Sequence, residues 1–444
     1  VTIARAVASG IATIGGAFQS IGSSYAWALR QDRHAFAALE HDLPEIAAEL
    51  KAWARTQNPE PVFALLRVVK PILVLPDMAI VTRFEDVQEV LSRPDAFGVP
   101  YAEKFAALTG GRNFFLGMSD SPEYTRDVAN MRVAIRRADI PAIVEPIVRR
   151  TADAIVAQGA GRVNVVTDMG VHVTETVAAE YFGTPSPAAG EFAAYAATIS
   201  GFLFLPSGTT PGVEAQAVQQ AKLMRAAMRA ELERRRATSD TRDDVLGRCI
   251  AMQASGLPGM DDDMLLVNMF GIVVGALPTT TAILARALDE LLRRPIELAQ
   301  AQVAARAGAT SLVWKYLAEC LRFNPLGPGV FRTALDDYEV ASGTLRRTVI
   351  PRGHTVLVAL QSAMMDSNNL DDPELFKADR PDWQYMHFGY GMHTCFGQYI
   401  NVVQVALMAE TLLRQRNFRR ADGEDGTLVL DGPFPASLVV NYDA

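Results

Sequence analysis

Phe388-Gly389-Tyr390-Gly391-Met392-His393-Thr394-Cys395-Phe396-Gly397 sets one cysteine among three glycines, in a run that cannot enter a regular helix or strand until the cysteine is passed. Glycine accepts backbone angles and close approaches that other residues resist. Behind the run, residues 400–413 carry Val402, Val403, Val405, Ala406, Met408, Ala409, Leu412 and Leu413, the composition of a buried helix. A cysteine leading into a helix has its thiolate favoured by backbone N–H groups and by the positive end of the helix dipole. A lone thiolate on a rigid loop suits axial ligation of haem iron, where sulfur pushes electron density toward the metal and favours O–O cleavage. The plain alternative for any single cysteine is a buried structural residue in a turn.

Upstream, Glu319 and Arg322 lie three apart in residues 312–323, so on a helix with apolar Leu317, Ala318 and Leu321 they share a face. Such a pair on its own is usually a solvated salt bridge worth little. The helix is expected to stop at Asn324-Pro325, and Arg380 follows in Pro373-Glu374-Leu375-Phe376-Lys377-Ala378-Asp379-Arg380-Pro381. Arg332 stands in Gly329-Val330-Phe331-Arg332-Thr333-Ala334.

Taken together, Phe388, Gly389, Gly391, His393, Cys395 and Gly397 resemble the haem-binding loop of the cytochrome P-450 family at every defining position, and the resemblance runs from roughly residue 60 to the end. It implies a mostly α fold with small β-sheets, an α+β arrangement of a helix-rich lobe and a sheet-rich lobe around a buried haem b. It implies Cys395 as the ligand to iron, with Phe388 and Gly389 in the cofactor-binding loop and Arg332 and His393 as propionate partners. Glu319, Arg322 and Arg380 are implied to be structural, three charges that lock the segment carrying the ligand.

The 444 residues allow a large core, and no Ser/Gly/Pro-rich linker, charge block or repeat divides them. One catalytic domain over residues 26–444 is expected, with residues 1–25 an N-terminal arm. Residues 1–22 are broken by Gly10, Gly15, Gly16 and Gly22, so they fall short of a spanning helix, and a surface arm is favoured over the remnant of a signal. A net charge of −8 with no basic stripe argues against nucleic acid as a partner. Three cysteines, Cys249, Cys320 and Cys395, fit a reducing compartment without disulfides, and a cytoplasmic protein is expected.

Residues 71–75 and 78–82 read as strands around a Pro-Asp turn, with a helix at 85–92. Residues 97–116 lack clear periodicity but carry Phe97, Tyr101, Phe105, Phe114 and Phe115. Amphipathic helices dominate 121–294, with a polar-poor segment at 199–206 expected between two of them. Short strands are expected at 348–351, 355–360, 427–430 and 437–441.

Two departures from the resembling pattern bear on mechanism. A long apolar helix at 264–292 is interrupted by Gly275-Ala276-Leu277-Pro278-Thr279-Thr280-Thr281, and a kink is expected at the proline. Thr279 is the implied catalytic hydroxyl, but Pro278 stands where the family usually has an acid. In Ser121-Pro122-Glu123-Tyr124-Thr125-Arg126-Asp127-Val128, Tyr124 and Val128 stand where many relatives have histidine and arginine. Arg126, Arg132, Arg136 and Arg137 leave a basic face nearby.

The leading expectation is a haem-thiolate monooxygenase that hydroxylates or epoxidises an apolar small molecule, with dioxygen and electrons from a separate ferredoxin or flavodoxin-type donor. The alternative is a peroxide- or hydroperoxide-dependent haem-thiolate enzyme, which needs neither the acid nor the donor. A non-catalytic haem or ligand-binding protein is the remote third.

Overall fold

A computed structural model describes residues 59–204 and 212–443. The expected arm at 1–25 lies outside the described residues. Contacts divide the chain into two compact units, Val1–Gly98 with Gly327–Leu375 and Asp382–Thr394, and Val99–Leu326 with Phe376–Pro381 and Cys395–Ala444.

The first unit is built on a five-stranded sheet in the order Ile72–Val74, Met78–Val81, Thr355–Val358, Val330–Ala334, Phe97–Gly98. Only the Met78–Val81 and Thr355–Val358 pair is parallel, which the long connection between these two strands permits. Its register sets Met78 opposite Thr355 and Val81 opposite Val358. Ile72, Ala79, Val81, Val356 and Val358 pack with Phe84, Val87 and Met386 into one core cluster. The helix Phe84–Leu91 begins where Asp366 Oδ2 accepts the Phe84 N–H at 3.1 Å, so a distant carboxylate does the work of a cap.

The second unit is helical, and its axis is the thirty-residue helix Asp262–Leu291. The Asp261 side chain accepts the Met264 N–H at 3.1 Å, and Asp262 and Asp263 follow in the first turn, as the macrodipole favours. This helix is long and apolar enough to cross a membrane, but 78% of its apolar window is buried in the protein, as for a core helix. The helix Val245–Ala254 starts at Asp244, which accepts the Gly247 N–H at 2.8 Å.

The structure corrects several expectations. Residues 97–116 contain the helix Ala102–Thr109, hidden because its apolar Phe105, Ala106 and Leu108 make too short a stripe to show a period. Ile199 to Phe204 do not separate two helices but end the helix Glu191–Phe204; residues 205 and 206 lie outside the described residues. The long helix runs from Asp262 to Leu291 with Pro278 inside it, beginning two residues before the expected 264. The final strands are Val429–Asp431, Phe434–Ser437 and Val439–Asn441, shifted or split from the expected 427–430 and 437–441.

Candidate functional site

In the second unit Cys395 stands three residues before the helix Gln398–Leu413. Burial pushes the Cys395 thiol above its ordinary range, and the Gly397 N–H, bonded to the sulfur, pulls it partly back. A bound cation would complete the stabilisation. The other two thiols, Cys249 and Cys320, are buried among apolar residues and pushed up by burial, Cys249 to about 12.

The three expected charges meet in the structure. Glu319 and Arg322 are completely buried on the helix Thr310–Phe323, and Arg380 is nearly so. Arg322 grips the carboxylate with both ends of its fork, Nε to Oε2 at 3.0 Å and Nη2 to Oε1 at 2.7 Å. Oε1 also accepts from Arg380 Nε at 3.2 Å and from the Lys377 N–H at 2.9 Å. Burial works to raise the Glu319 carboxyl pKa, but the Arg322 hydrogen bonds and charge, with Lys377 N–H and Arg380, hold it below the usual range.

The first unit carries Phe388, Gly389, His393 and Arg332. Gly389 lies at φ +76°, its N–H donating to the Met386 carbonyl at 3.0 Å, and Gly391 at φ +72°, both in the left-handed region. A Cβ on Gly391 would stand 2.3 Å from the Leu91 carbonyl oxygen, so backbone lies directly on backbone there. Arg332 sits in the strand Val330–Ala334 opposite Val356, almost fully buried. Burial, and then the Arg332 charge, lower the His393 pKa to about 4. A buried guanidinium beside a neutral imidazole is a natural receptor for a carboxylate.

On the long helix the half-buried residues Ile272, Gly275, Ala276 and Thr279 make one stripe among otherwise mostly buried neighbours. A Cβ on Gly275 would meet nothing within 4 Å, so this face borders open space, whereas one on Gly271 would stand 2.3 Å from the Phe114 ring. The Thr279 hydroxyl donates to the Gly275 carbonyl at 2.5 Å, leaving its oxygen free to accept. Pro278 removes the N–H that would bond Val274, and the Ser200 hydroxyl donates to that carbonyl at 3.2 Å. Sequence reasoning missed Ser200; the one hydroxyl in the apolar run Ile199-Ser200-Gly201-Phe202-Leu203-Phe204 was its only signal. It also missed the ring series Phe105, Phe114, Phe115 and Phe396, with successive centroids 5.7, 4.1 and 5.1 Å apart, ending beside the cysteine.

Each unit, taken by itself, carries residues of a kind that a haem needs. Cys395 offers a soft sulfur donor suited to iron, Arg332 and His393 offer a receptor for carboxylates, and the Gly275 stripe borders space that a side chain would otherwise claim.

A family model described as cytochrome P-450 matches residues 76–439. The chain is 27% identical to the cytochrome P-450 monooxygenase PikC of Streptomyces venezuelae, over 74% of each chain. It is also 27% identical to the mycinamicin IV hydroxylase/epoxidase of Micromonospora griseorubida, over 76% of this chain and 81% of that one. Among solved structures, CYP109E1 from Bacillus megaterium, in complex with testosterone, superposes with a TM-score of 0.73 at 18% identity, covering 87% of this chain and 98% of that one.

Proposed function

The chain belongs to the cytochrome P-450 family of haem-thiolate monooxygenases, and we propose that it hydroxylates or epoxidises an apolar small molecule with electrons from a separate ferredoxin or flavodoxin-type protein. The catalytic domain lies within residues 26–444, in a cytoplasmic protein. The observation that carries the reading is Cys395, a half-buried cysteine with the Gly397 N–H beside its sulfur, leading into the buried helix Gln398–Leu413.

Cys395 would ligate the iron of a haem b, in the loop that also carries Phe388 and Gly389, and Arg332 and His393 would hold its propionates. When bound, the haem supplies the centre at which dioxygen is activated, and sulfur donation favours O–O cleavage. The chain's own part is positioning, proton handling and exclusion of water. Glu319, Arg322 and Arg380 fix the segment before the ligand loop and take no part in the chemistry. Thr279 has its proton engaged by Gly275, so its oxygen accepts a hydrogen bond from a protonated oxygen species or a water. Pro278 can neither donate nor ionise, so the proton must come through water rather than from a neighbouring acid. Arg132 lies over the Phe396 ring at 5.4 Å and Arg137 over Tyr399 at 3.6 Å. Cations on these two rings, just after the ligand, support docking of an acidic electron donor.

Cys395→Ser tests the reading. The shifted Soret band of the reduced carbon monoxide complex should vanish, because a neutral serine oxygen cannot supply thiolate donation; a mutant that keeps the band rules it out. Pro278 favours a second reading, a peroxide-dependent enzyme, since that chemistry needs no acid beside Thr279. Turnover with NAD(P)H and a surrogate ferredoxin and reductase, run beside turnover with peroxide, separates the two. Pro278→Glu should raise coupled turnover under the first reading and slow peroxide turnover under the second.

A further inference from the structure

A proline inside a helix withdraws one N–H and presses its ring against the carbonyl four residues earlier, which destabilises an ordinary helix. In Asp262–Leu291 that carbonyl belongs to Val274, which is buried beyond the reach of solvent. A buried acceptor left without a partner would add its own penalty. It has a partner: Ser200, fully buried on the helix Glu191–Phe204, donates to it at 3.2 Å. A helical serine commonly bonds back to its own preceding turn. Ser200 instead reaches across to the neighbouring helix. The end of its own helix is anchored as well, since Lys104 Nζ donates to the Phe202 carbonyl at 2.7 Å. One residue beyond Val274, the Gly275 carbonyl takes the Thr279 hydroxyl. Two successive carbonyls are thus held by side-chain hydroxyls, beside the stripe that borders open space.

We propose that Ser200 is a positioning residue for this site: it replaces the amide hydrogen that Pro278 removes and holds the Val274 carbonyl toward the helix Glu191–Phe204, so that the long helix keeps a fixed, dry surface at Gly275 and Thr279. This rests on the reading of Thr279 as the residue that handles oxygen. Without the serine hydroxyl, the Val274 carbonyl turns to recruit a water, and that water lies next to Thr279. Protons then reach dioxygen out of turn. Dioxygen takes two electrons from the donor protein and two protons from water and leaves as hydrogen peroxide, and the substrate keeps its C–H or C=C bond intact.

The test is a double-mutant cycle on the haem-loaded protein, with wild type, Ser200→Ala, Pro278→Ala and the double mutant, and with Ser200→Thr and Ser200→Val as hydroxyl-bearing and hydroxyl-free variants that match each other in shape. Two quantities are read: the unfolding equilibrium, and the hydrogen peroxide released per NAD(P)H oxidised with a surrogate ferredoxin and reductase. With Pro278 present, Ser200→Ala should lower the folded-to-unfolded ratio by roughly tenfold, the worth of about one buried hydrogen bond, and should raise the peroxide share severalfold. With Pro278→Ala the N–H returns, and the same serine change should move neither quantity. Ser200→Thr should behave as wild type and Ser200→Val as Ser200→Ala. Equal losses with and without Pro278 overturn the pairing, and so does a Thr variant no better than the Val one. A non-additive unfolding cycle with an unchanged peroxide share overturns the positioning role. If Ser200→Ala does not fold, the Thr and Val pair carries the same comparison. A wild type lacking the shifted band of the reduced carbon monoxide complex would count against the parent reading instead, and the unfolding cycle would still judge the pairing of Ser200 with Pro278.

Discussion

Around Glu319 the helical unit buries full charges and surrounds one carboxylate with the forks of Arg322 and Arg380 and the Lys377 N–H. Around Pro278 it buries an interrupted backbone and repairs it with the Ser200 hydroxyl, while the Thr279 hydroxyl donates to the next carbonyl along. A buried charge stripped of its partner costs several times what a lost neutral hydrogen bond costs. The ligand side is therefore held by interactions too strong to exchange. The oxygen side is held by ones that a water or a bound molecule can replace. Iron coordination needs a sulfur that does not move; proton delivery needs groups that can trade partners.

The largest expected effect falls on the charged side. Glu319→Ala leaves Arg322 buried without its carboxylate and should destabilise by about 3–5 kcal/mol, giving misfolded or haem-free protein in a purified-yield and Soret assay. A mutant that folds with full haem and is merely slow would show that these residues are not structural. The same carboxylate sets an acid limit. Its pKa is depressed from an ordinary 4.5, so its stabilising contribution is complete above that pH and is lost as the pH falls through the folded value. Glu319→Gln should flatten the dependence of stability on pH in that window.

On the hydroxyl side, Thr279→Ala should leave the fold intact and reduce coupled turnover by about a hundredfold, the low end of what a positioned proton-transfer group contributes. Hydrogen peroxide should appear in place of product. Peroxide-driven turnover should barely change. A mutant fully coupled with dioxygen would erase the functional half of the contrast. Smaller effects divide the long helix itself. Gly271→Ala forces a methyl into the Phe114 ring and should cost about 1–3 kcal/mol in chemical denaturation. Gly275→Ala meets nothing and should stabilise the haem-free protein by about 0.5–1 kcal/mol, the helix preference for alanine, while weakening binding of bulky ligands read by haem spectral shift.

Much of the charged side was legible in the sequence, and little of the hydroxyl side. Glu319 and Arg322 announce themselves by helical spacing, and the cysteine loop by its glycines, because both are local in the chain. The strands at 71–75 and 78–82 were legible for the same reason, each a short apolar run bounded by turn residues. Pro278 announced a disturbance but not its remedy, because Ser200 lies 74 residues before Val274, whose carbonyl it takes, and nothing in spacing links the two. The helix Ala102–Thr109 was invisible because it is two turns long, too short for its apolar stripe to show a period.

The seating of Gly391 has a genetic consequence. A side chain there collides with the Leu91 carbonyl, a peptide oxygen that every amino acid supplies, so no change of residue at position 91 can clear it. At Gly117 the obstacle is the Phe105 ring, which lies 2.7 Å from where an alanine methyl would stand and is removable by mutation. A suppressor hunt begun from Gly117→Ala should recover smaller residues at Phe105. One begun from Gly391→Ala should recover only revertants.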